Sequence, residues 1–408
     1  MCNLVFPDFL VIFFLNLLFF NWHTALLFSC AMTLSFFAFR LYDTENLQSY
    51  NEQLIRTIVG SLFSFILVLF FYPFLEDSLS RYNFIMNFLT ATLLIPPFNF
   101  FLSKAVVKNT PRKTVLVLGK REEIEHILKE IEEKTLGRYR FVEYINPTLE
   151  ALKARVKKYD MVLVADPRFE DIAKNARVEK IEYLPNLAES TLKRIPLEVM
   201  EKFKEYYEVV FDNVKDDSPA KKILDVLVSV IALVVFSPIM LIVGIIIYLE
   251  DGRPVVFRQE RVGKNGEIFT MIKFRSMKKA PSDRPKFADQ EQDRILKVGR
   301  FIRPFRLDEV LQFINVLKGE MSVIGPRPEQ VEFVKIYEKQ VPFYSLRHKV
   351  KPGITGWAQL MYKYSSNLDE VKKKLSYDLW YVKNRNIFLD LRIILQTIEA
   401  VLWRRGAK

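Results

Sequence analysis

A chain of 408 residues that is 50% apolar and 14% aromatic, with 35 phenylalanines, is richer in Phe than a soluble enzyme of that size and excludes disordered and fibrous classes. Its formal net charge of +12 favours anionic partners. Two cysteines, Cys2 and Cys30, and three scattered histidines, His23, His126 and His348, exclude a disulfide framework, a CxxC zinc site, a thiol nucleophile in the polar regions and a Ser-His-Asp arrangement, which leaves carboxylates and basic residues to carry any chemistry.

Residues 4–107 are almost continuously hydrophobic, whereas 111–219 and 252–408 alternate charged and apolar residues as globular domains do. Four stretches read as bilayer spans, 4–20, 24–41, 54–75 and 84–107, although Asp8 and Asn16 interrupt the first. No basic residue precedes the first stretch and three more spans follow, so a cleaved signal peptide is not expected. The 21–23 loop has no Lys or Arg, the next loop has Arg40 and Arg56, and the exit carries Lys104, Lys108, Arg112 and Lys113. This asymmetry predicts a cytoplasmic amino terminus, a cytoplasmic remainder of the chain, and residues 76–81 outside.

From Thr114 the pattern becomes TVLVLG, REEIEHILKEIEEK, RYRFVEYI, LEALKARVKKY and DMVLVAD, the βαβ rhythm of a small parallel sheet. A dinucleotide site at the first turn would need GxGxxG. The turn has only Gly119, followed by Glu122 and Glu123, which repel phosphate, so the domain reads as structural or regulatory and dispensable for chemistry.

A fifth apolar segment, residues 223–249, is long enough to span at roughly 40 Å. Ser237-Pro238 breaks its middle, and Lys221 and Lys222 before it and Arg253, Arg258 and Arg261 after it predict that both ends face the cytoplasm. It reads as a helix that enters the membrane and turns back; the alternative is an ordinary span with a tolerated proline.

Between Arg253 and Arg306 there are fifteen Lys or Arg against six acids. Lys278, Lys279, Arg284 and Lys286 suit anionic lipid headgroups. No aromatic-basic platform or recognition helix supports nucleic acid, and a phosphorylated small substrate remains. In GRFIRPFRLDEVLQFINVLKGEMSVIGPRPE, Asp308-Glu309 is predicted to open an amphipathic helix burying Val310, Phe313, Ile314 and Leu317. Such carboxylates are commonly helix caps. Here Arg300, Arg303 and Arg306 precede them and the Gly325-Pro326-Arg327-Pro328 turn follows, which suits an anionic nucleophile attacking phosphorus, with Asp308 kept ionised by a depressed pKa.

These motifs, with KKILDVLVSVIALVVFSP, IKFRSM, VKPGITGWAQL and YDLWYVKNRNIFLDLRIIL, resemble the bacterial sugar transferase family, the monotopic polyprenyl-phosphate phosphoglycosyl transferases, from about Asp217 to the end. The resemblance implies three parts: four transmembrane helices over 1–110, a small α/β Rossmann-like cytoplasmic domain over 111–216, and an α/β catalytic domain over 217–408 with a re-entrant helix at 220–250. It implies a multi-pass protein of the bacterial cytoplasmic membrane that initiates exopolysaccharide, capsule or O-antigen synthesis. The reaction implied is transfer of a sugar 1-phosphate from a UDP-sugar to undecaprenyl phosphate, releasing UMP, with Mg2+ and through a phosphosugar-aspartyl intermediate. By motif, Asp308 falls on the nucleophile and Glu309 on its partner acid, the two together as metal ligands. Lys273, Arg303 and Arg327 fall on phosphate-binding positions, Asp378 on a further substrate-site acid, and Ser237-Pro238 on the re-entrant breaker. A homodimer is implied by similarity to the large members. The chain departs from the family pattern at Arg306, where Ser is usual, at Leu311 in place of Pro, and at Glu320 in place of Asp.

A many-helix sugar-phosphate transferase would need more spans and an Asp-rich loop, a nucleotide-sugar dehydratase or epimerase would need the missing glycines, and a non-catalytic membrane scaffold would not need Asp308-Glu309 among arginines. The sugar itself is not legible.

Overall fold

A computed structural model describes residues 2–71, 80–109, 111–146, 148–176, 178, 180–278, 294–362 and 367–402. Lys279, Arg284, Lys286 and most of the 76–81 loop lie outside these. The chain is mostly helical with small sheets, and it divides into two compact units, Met1–Glu182 and Tyr183–Lys408.

The first unit begins with helices Cys2–Leu17, Trp22–Ala38, Tyr50–Phe71 and Arg81–Asn109. Their side chains are arranged inside out. Phe6, Phe14, Leu62 and Leu93 face outward, while Asp8, Asn16, Gln53, Thr57, Asn87 and Asn99 are buried, as suits helices in hydrocarbon that pair their polar groups with one another. Asn16 joins three helices by donating to Ser29 at 2.8 Å and accepting from Asn87. Of the four spans expected from sequence, two, Tyr50–Leu69 and Arg81–Lys108, are long and apolar enough to cross a bilayer. The first two helices have 16 and 17 residues, about 25 Å, because the chain turns at residues 18–21.

The same unit then forms a four-stranded sheet from β1 (Lys113–Leu118), β2 (Tyr139–Ile145), β3 (Met161–Val164) and β4 (Ile181–Tyr183), in the order β2-β1-β3-β4, with β1 parallel to β2 and β3. Helix Arg121–Lys134 buries Ile124, Ile127, Leu128 and Ile131 at helical spacing. Gly119 has a packing reason, since a Cβ there would stand 3.2 Å from that of Ala165 after β3.

In the second unit, helices Leu184–Leu192, Leu197–Lys202 and Lys204–Asp212 come first. They are tied to the carboxy-terminal part of the unit. Trp380 and Lys383 bond to the carbonyl and carboxylate of Glu189 at 3.1 and 2.8 Å, and Trp357 to the Lys193 carbonyl at 2.8 Å.

The third helix long and apolar enough to span is Pro219–Asp251. Ser218 caps its start by accepting from the Lys221 amide at 3.2 Å, Pro219 occupies the first turn, and Gly252, with φ of 68°, ends it. Pro238 leaves the Val234 carbonyl without its amide partner, and the Ser237 hydroxyl donates to that carbonyl at 2.7 Å. The helix therefore continues through the proline. Both of its ends pack on the second unit. Near its start Asp225 accepts from Ser322 and from the Val323 amide at 3.0 Å each, and Lys221 pairs with Asp390 at 3.2 Å. Near its end Val243 and Ile247 join a core with Phe274, Leu296, Val298, Ile302 and Leu311, and Glu250 accepts from the Lys297 and Val298 amides. None of residues 230–242 is buried, so the middle stands away from the unit.

Candidate active site

Four short segments build the site. The first is an antiparallel hairpin of β5 (Val256–Val262) and β6 (Ile268–Phe274), which carries Lys273 opposite Phe257. The second is helix Lys297–Ile302 followed by Arg303. Third comes a single 3-10 turn, Leu307–Glu309, that leads into helix Gln312–Leu317. The fourth is the turn of residues 325–328, which leaves β7 (Ser322–Ile324) where it pairs in parallel with β8 (Gly353–Thr355).

Asp308 and Glu309 lie on that 3-10 turn and do not open the α-helix, which starts only at Gln312. The tighter turn changes the phase of the buried face. Val310 is buried as expected, but Leu311, Gln312, Asn315 and Val316 accompany it, Phe313 and Ile314 are half-buried, and Leu317 is exposed. Arg306 precedes the turn in the left-handed region at φ 54°, an uncommon conformation for a residue with a side chain. Asn315, fully buried, accepts from the Ile272 amide at 3.1 Å and donates to the Thr270 carbonyl at 2.8 Å and to Glu320 at 2.6 Å. It thereby fixes the strand of Lys273 against the turn of Asp308. Gly325, Gly353 and Gly356 meet backbone to backbone, where a Cβ on any of them would collide with main-chain atoms, so the arginine turn is seated on β8 and the residues that flank it.

The two carboxylates differ. Glu309 accepts from Arg327 at 2.6 and 3.4 Å and has Arg306 3.7 Å away. Burial alone would push its carboxyl up, but Arg327 holds it down at about 2. Asp308 is 7% exposed, and among the described residues its carboxylate takes part in no hydrogen bond or ion pair. Burial, and then the charge of Glu309, raise its pKa to about 6 against the opposing pull of Lys273, Arg303 and Arg327. This reverses the depressed value expected from sequence, because desolvation outweighs guanidinium groups that surround the carboxylate without bonding to it.

Two cations here are also without an anionic partner among the described residues. The Lys273 ammonium lies 5.3 Å from the centre of the Phe257 ring, and its burial lowers its pKa. The Arg303 Nη1 is buried with no hydrogen bond. Lys273, Arg303, Glu309 and Arg327 thus converge on Asp308. Asp378 does not: it is 2% exposed and pairs with Arg347 at 2.8 Å behind the arginine turn. Ser237 and Pro238 are exposed on the protruding part of the long helix. Arg261, Asn315 and Arg347 carry no motif that singles them out in the sequence.

No cluster of three or more His, Cys, Asp or Glu suited to a metal occurs among the described residues. The donor set still fits an ion such as magnesium, which commonly takes one or two carboxylates and completes its shell with substrate phosphates and water. Asp308 offers oxygens that have no partner among the described residues, whereas those of Glu309 are engaged by guanidinium groups.

The model of the bacterial sugar transferase family matches residues 216–404. An uncharacterised sugar transferase of Bacillus subtilis is 40% identical over 187 residues, which cover 46% of this chain and 89% of that protein. This chain belongs to the bacterial sugar transferase family. Within the family, it is 44% identical over 189 residues to the UDP-N-acetylgalactosamine-undecaprenyl-phosphate N-acetylgalactosaminephosphotransferase of Aeromonas hydrophila, a match to 46% of this chain and 45% of that protein. It is 39% identical over 181 residues to the UDP-glucose:undecaprenyl-phosphate glucose-1-phosphate transferase of Escherichia coli K12, matching 44% of this chain and 39% of that one. The chain therefore spans less than half the length of these two relatives, and the residues that match the family model, 216–404, hold the site.

Proposed function

We propose that this sugar transferase moves a sugar 1-phosphate from a UDP-sugar to undecaprenyl phosphate at the cytoplasmic face of the membrane, by double displacement through Asp308. One observation carries the reading: a buried carboxylate that has no partner among the described residues, flanked by the cations Lys273 and Arg303, which have no anionic partner among them either. With Arg306 and Arg327, four positive groups face two carboxylates. The surplus of two matches the charge of a nucleotide-sugar diphosphate, which would satisfy the cations that the protein leaves unpaired.

In the first step an Asp308 oxygen attacks the phosphorus that bears the sugar, the bond from that phosphorus to the bridging oxygen breaks, and UMP leaves with the electron pair. In the second, a phosphate oxygen of undecaprenyl phosphate attacks the same phosphorus and Asp308 departs as carboxylate. Lys273, Arg303 and Arg327 hold the charge on the phosphoryl oxygens, and Glu309 keeps Arg327 oriented. Asp308 would hold a magnesium ion, with Glu309, whose oxygens also meet Arg306 and Arg327, as the second carboxylate, and the ion would supply further charge neutralisation. The long helix with its Ser237-Pro238 centre is proposed as a re-entrant membrane element along which the lipid acceptor arrives. The Met1–Glu182 unit is proposed to support a homodimer, and the reaction to initiate a surface polysaccharide.

The test is a single-turnover reaction with no lipid acceptor, repeated over a panel of UDP-sugars because the two named relatives use different ones. Release of up to one UMP per enzyme, with a sugar-phosphate adduct on the Asp308 peptide, is expected for the true donor. UMP release that requires the acceptor, with no adduct, would refute double displacement.

A further inference from the structure

The turn that carries Arg327 is held from behind by three basic side chains, one for each of residues 327, 328 and 329. Arg347 donates to the Arg327 carbonyl at 2.9 Å, Arg261 to the Pro328 carbonyl at 3.1 Å, and Lys374 to the Glu329 carboxylate at 2.7 Å. Arg347 differs from the other two in how completely it is fixed. It is 3% exposed, its Nε and Nη2 donate to one oxygen of Asp378 at 3.1 and 2.8 Å, and its Nη1 donates to the Tyr344 hydroxyl at 3.1 Å. A planar guanidinium bound on these sides has its plane set, and the Arg327 carbonyl is set with it.

The front of the same residue faces the candidate site, where the Arg327 guanidinium bonds Glu309 at 2.6 Å. A continuous path therefore runs from Asp378 through Arg347 and the Arg327 main chain to the Arg327 side chain and Glu309. Asp378 and Arg347 are too deeply buried, and too fully paired with each other, to meet a substrate.

We propose that Arg347 and Asp378 are a positioning pair, which aims Arg327 at the donor diphosphate and at Glu309. This rests on the function proposed above. Lysine at position 347 keeps the charge but offers a single nitrogen, which cannot hold the carboxylate and the carbonyl in one plane.

The experiment is a double-mutant cycle of Arg347→Lys and Arg327→Lys in the full chain in detergent. It reads kcat/KM for UMP release, calorimetric UDP affinity and melting temperature. Arg347→Lys should lower kcat/KM and UDP affinity roughly 10- to 100-fold in the wild-type background and less than about 3-fold beside Arg327→Lys, as expected for coupled residues. Asp378→Asn should behave in the same way, and it takes the place of Arg347→Lys in the cycle if that variant does not fold. Equal losses in both backgrounds, or losses that follow melting temperature alone, would overturn the pairing. If the wild-type chain binds UDP but releases no UMP from any UDP-sugar, the proposed function fails while the UDP cycle still decides the positioning role. If UMP is released and coupling is absent, only the positioning role fails.

Discussion

Asp308→Asn keeps the shape of the side chain and removes its charge, so it separates what the carboxylate does for the fold from what it does for chemistry. A carboxyl raised from 3.8 to about 6 costs the folded state about 3 kcal/mol when it is ionised, at roughly 1.4 kcal/mol per pKa unit. The sign follows from the direction. Because the folded value is raised, the stability this group contributes is complete below about pH 3.8 and is lost as pH rises through about 6. The Asn variant, which never ionises, should therefore be the more stable protein at pH 7.5, by up to about 3 kcal/mol, and by roughly half as much at pH 5. Thermal melts of both proteins at the two pH values check this, with a gain of several degrees expected at pH 7.5. The same variant should lose UMP release by several orders of magnitude, while wild-type kcat/KM rises with pH through about 6 as the nucleophile ionises. An Asn variant that melts at or below the wild type at pH 7.5, or a difference that does not shrink at pH 5, would refute the reasoning. Activity that survives would refute the nucleophile.

Cysteines placed at Lys222 and Gly252 should both react with a probe confined to one side of the membrane, the cytoplasmic one under the function proposed above, since both helix ends pack on one unit; labelling from opposite sides would mean an ordinary span. Ser237→Ala removes the hydroxyl that satisfies the Val234 carbonyl, and it should shift the same labelling pattern more in the wild-type background than beside Pro238→Ala, where the missing amide is restored. Asn315→Leu leaves the Ile272 amide and the Thr270 carbonyl without that partner and should destabilise by about 2–4 kcal/mol, read in denaturant melts of the solubilised protein. A chain cut to begin at Tyr183 should keep measurable UMP release. One cut at Asp217 loses the partners of Trp357 and Trp380 and should aggregate, and if both cuts behave alike the 184–213 helices are not part of the working unit.

The sequence by itself was enough for the features that depend on local composition. Apolar length marked the helices around residues 54–71 and 84–107 and the long helix around Pro238. Lys221, Lys222 and Arg253 bracketed that helix, alternating patterns marked the small sheet, and the motifs from Lys273 to Arg327 marked the residues that gather at the site. Tertiary structure decided the rest, because each remaining feature arises between segments far apart in the chain. The 3-10 turn at Asp308 depends on Arg306 adopting a left-handed conformation, which helical periodicity does not register. The 184–213 helices look like a continuation of the preceding α/β stretch until Trp357 and Trp380 are seen to bond to them. The depressed value expected of an Asp among arginines gave way to burial, since those cations surround Asp308 without touching it. Asp378 reads as a site acid by motif, yet it meets Arg347 thirty-one positions earlier. Only packing could reveal that pair, because a buried charge must find its partner wherever the fold brings one.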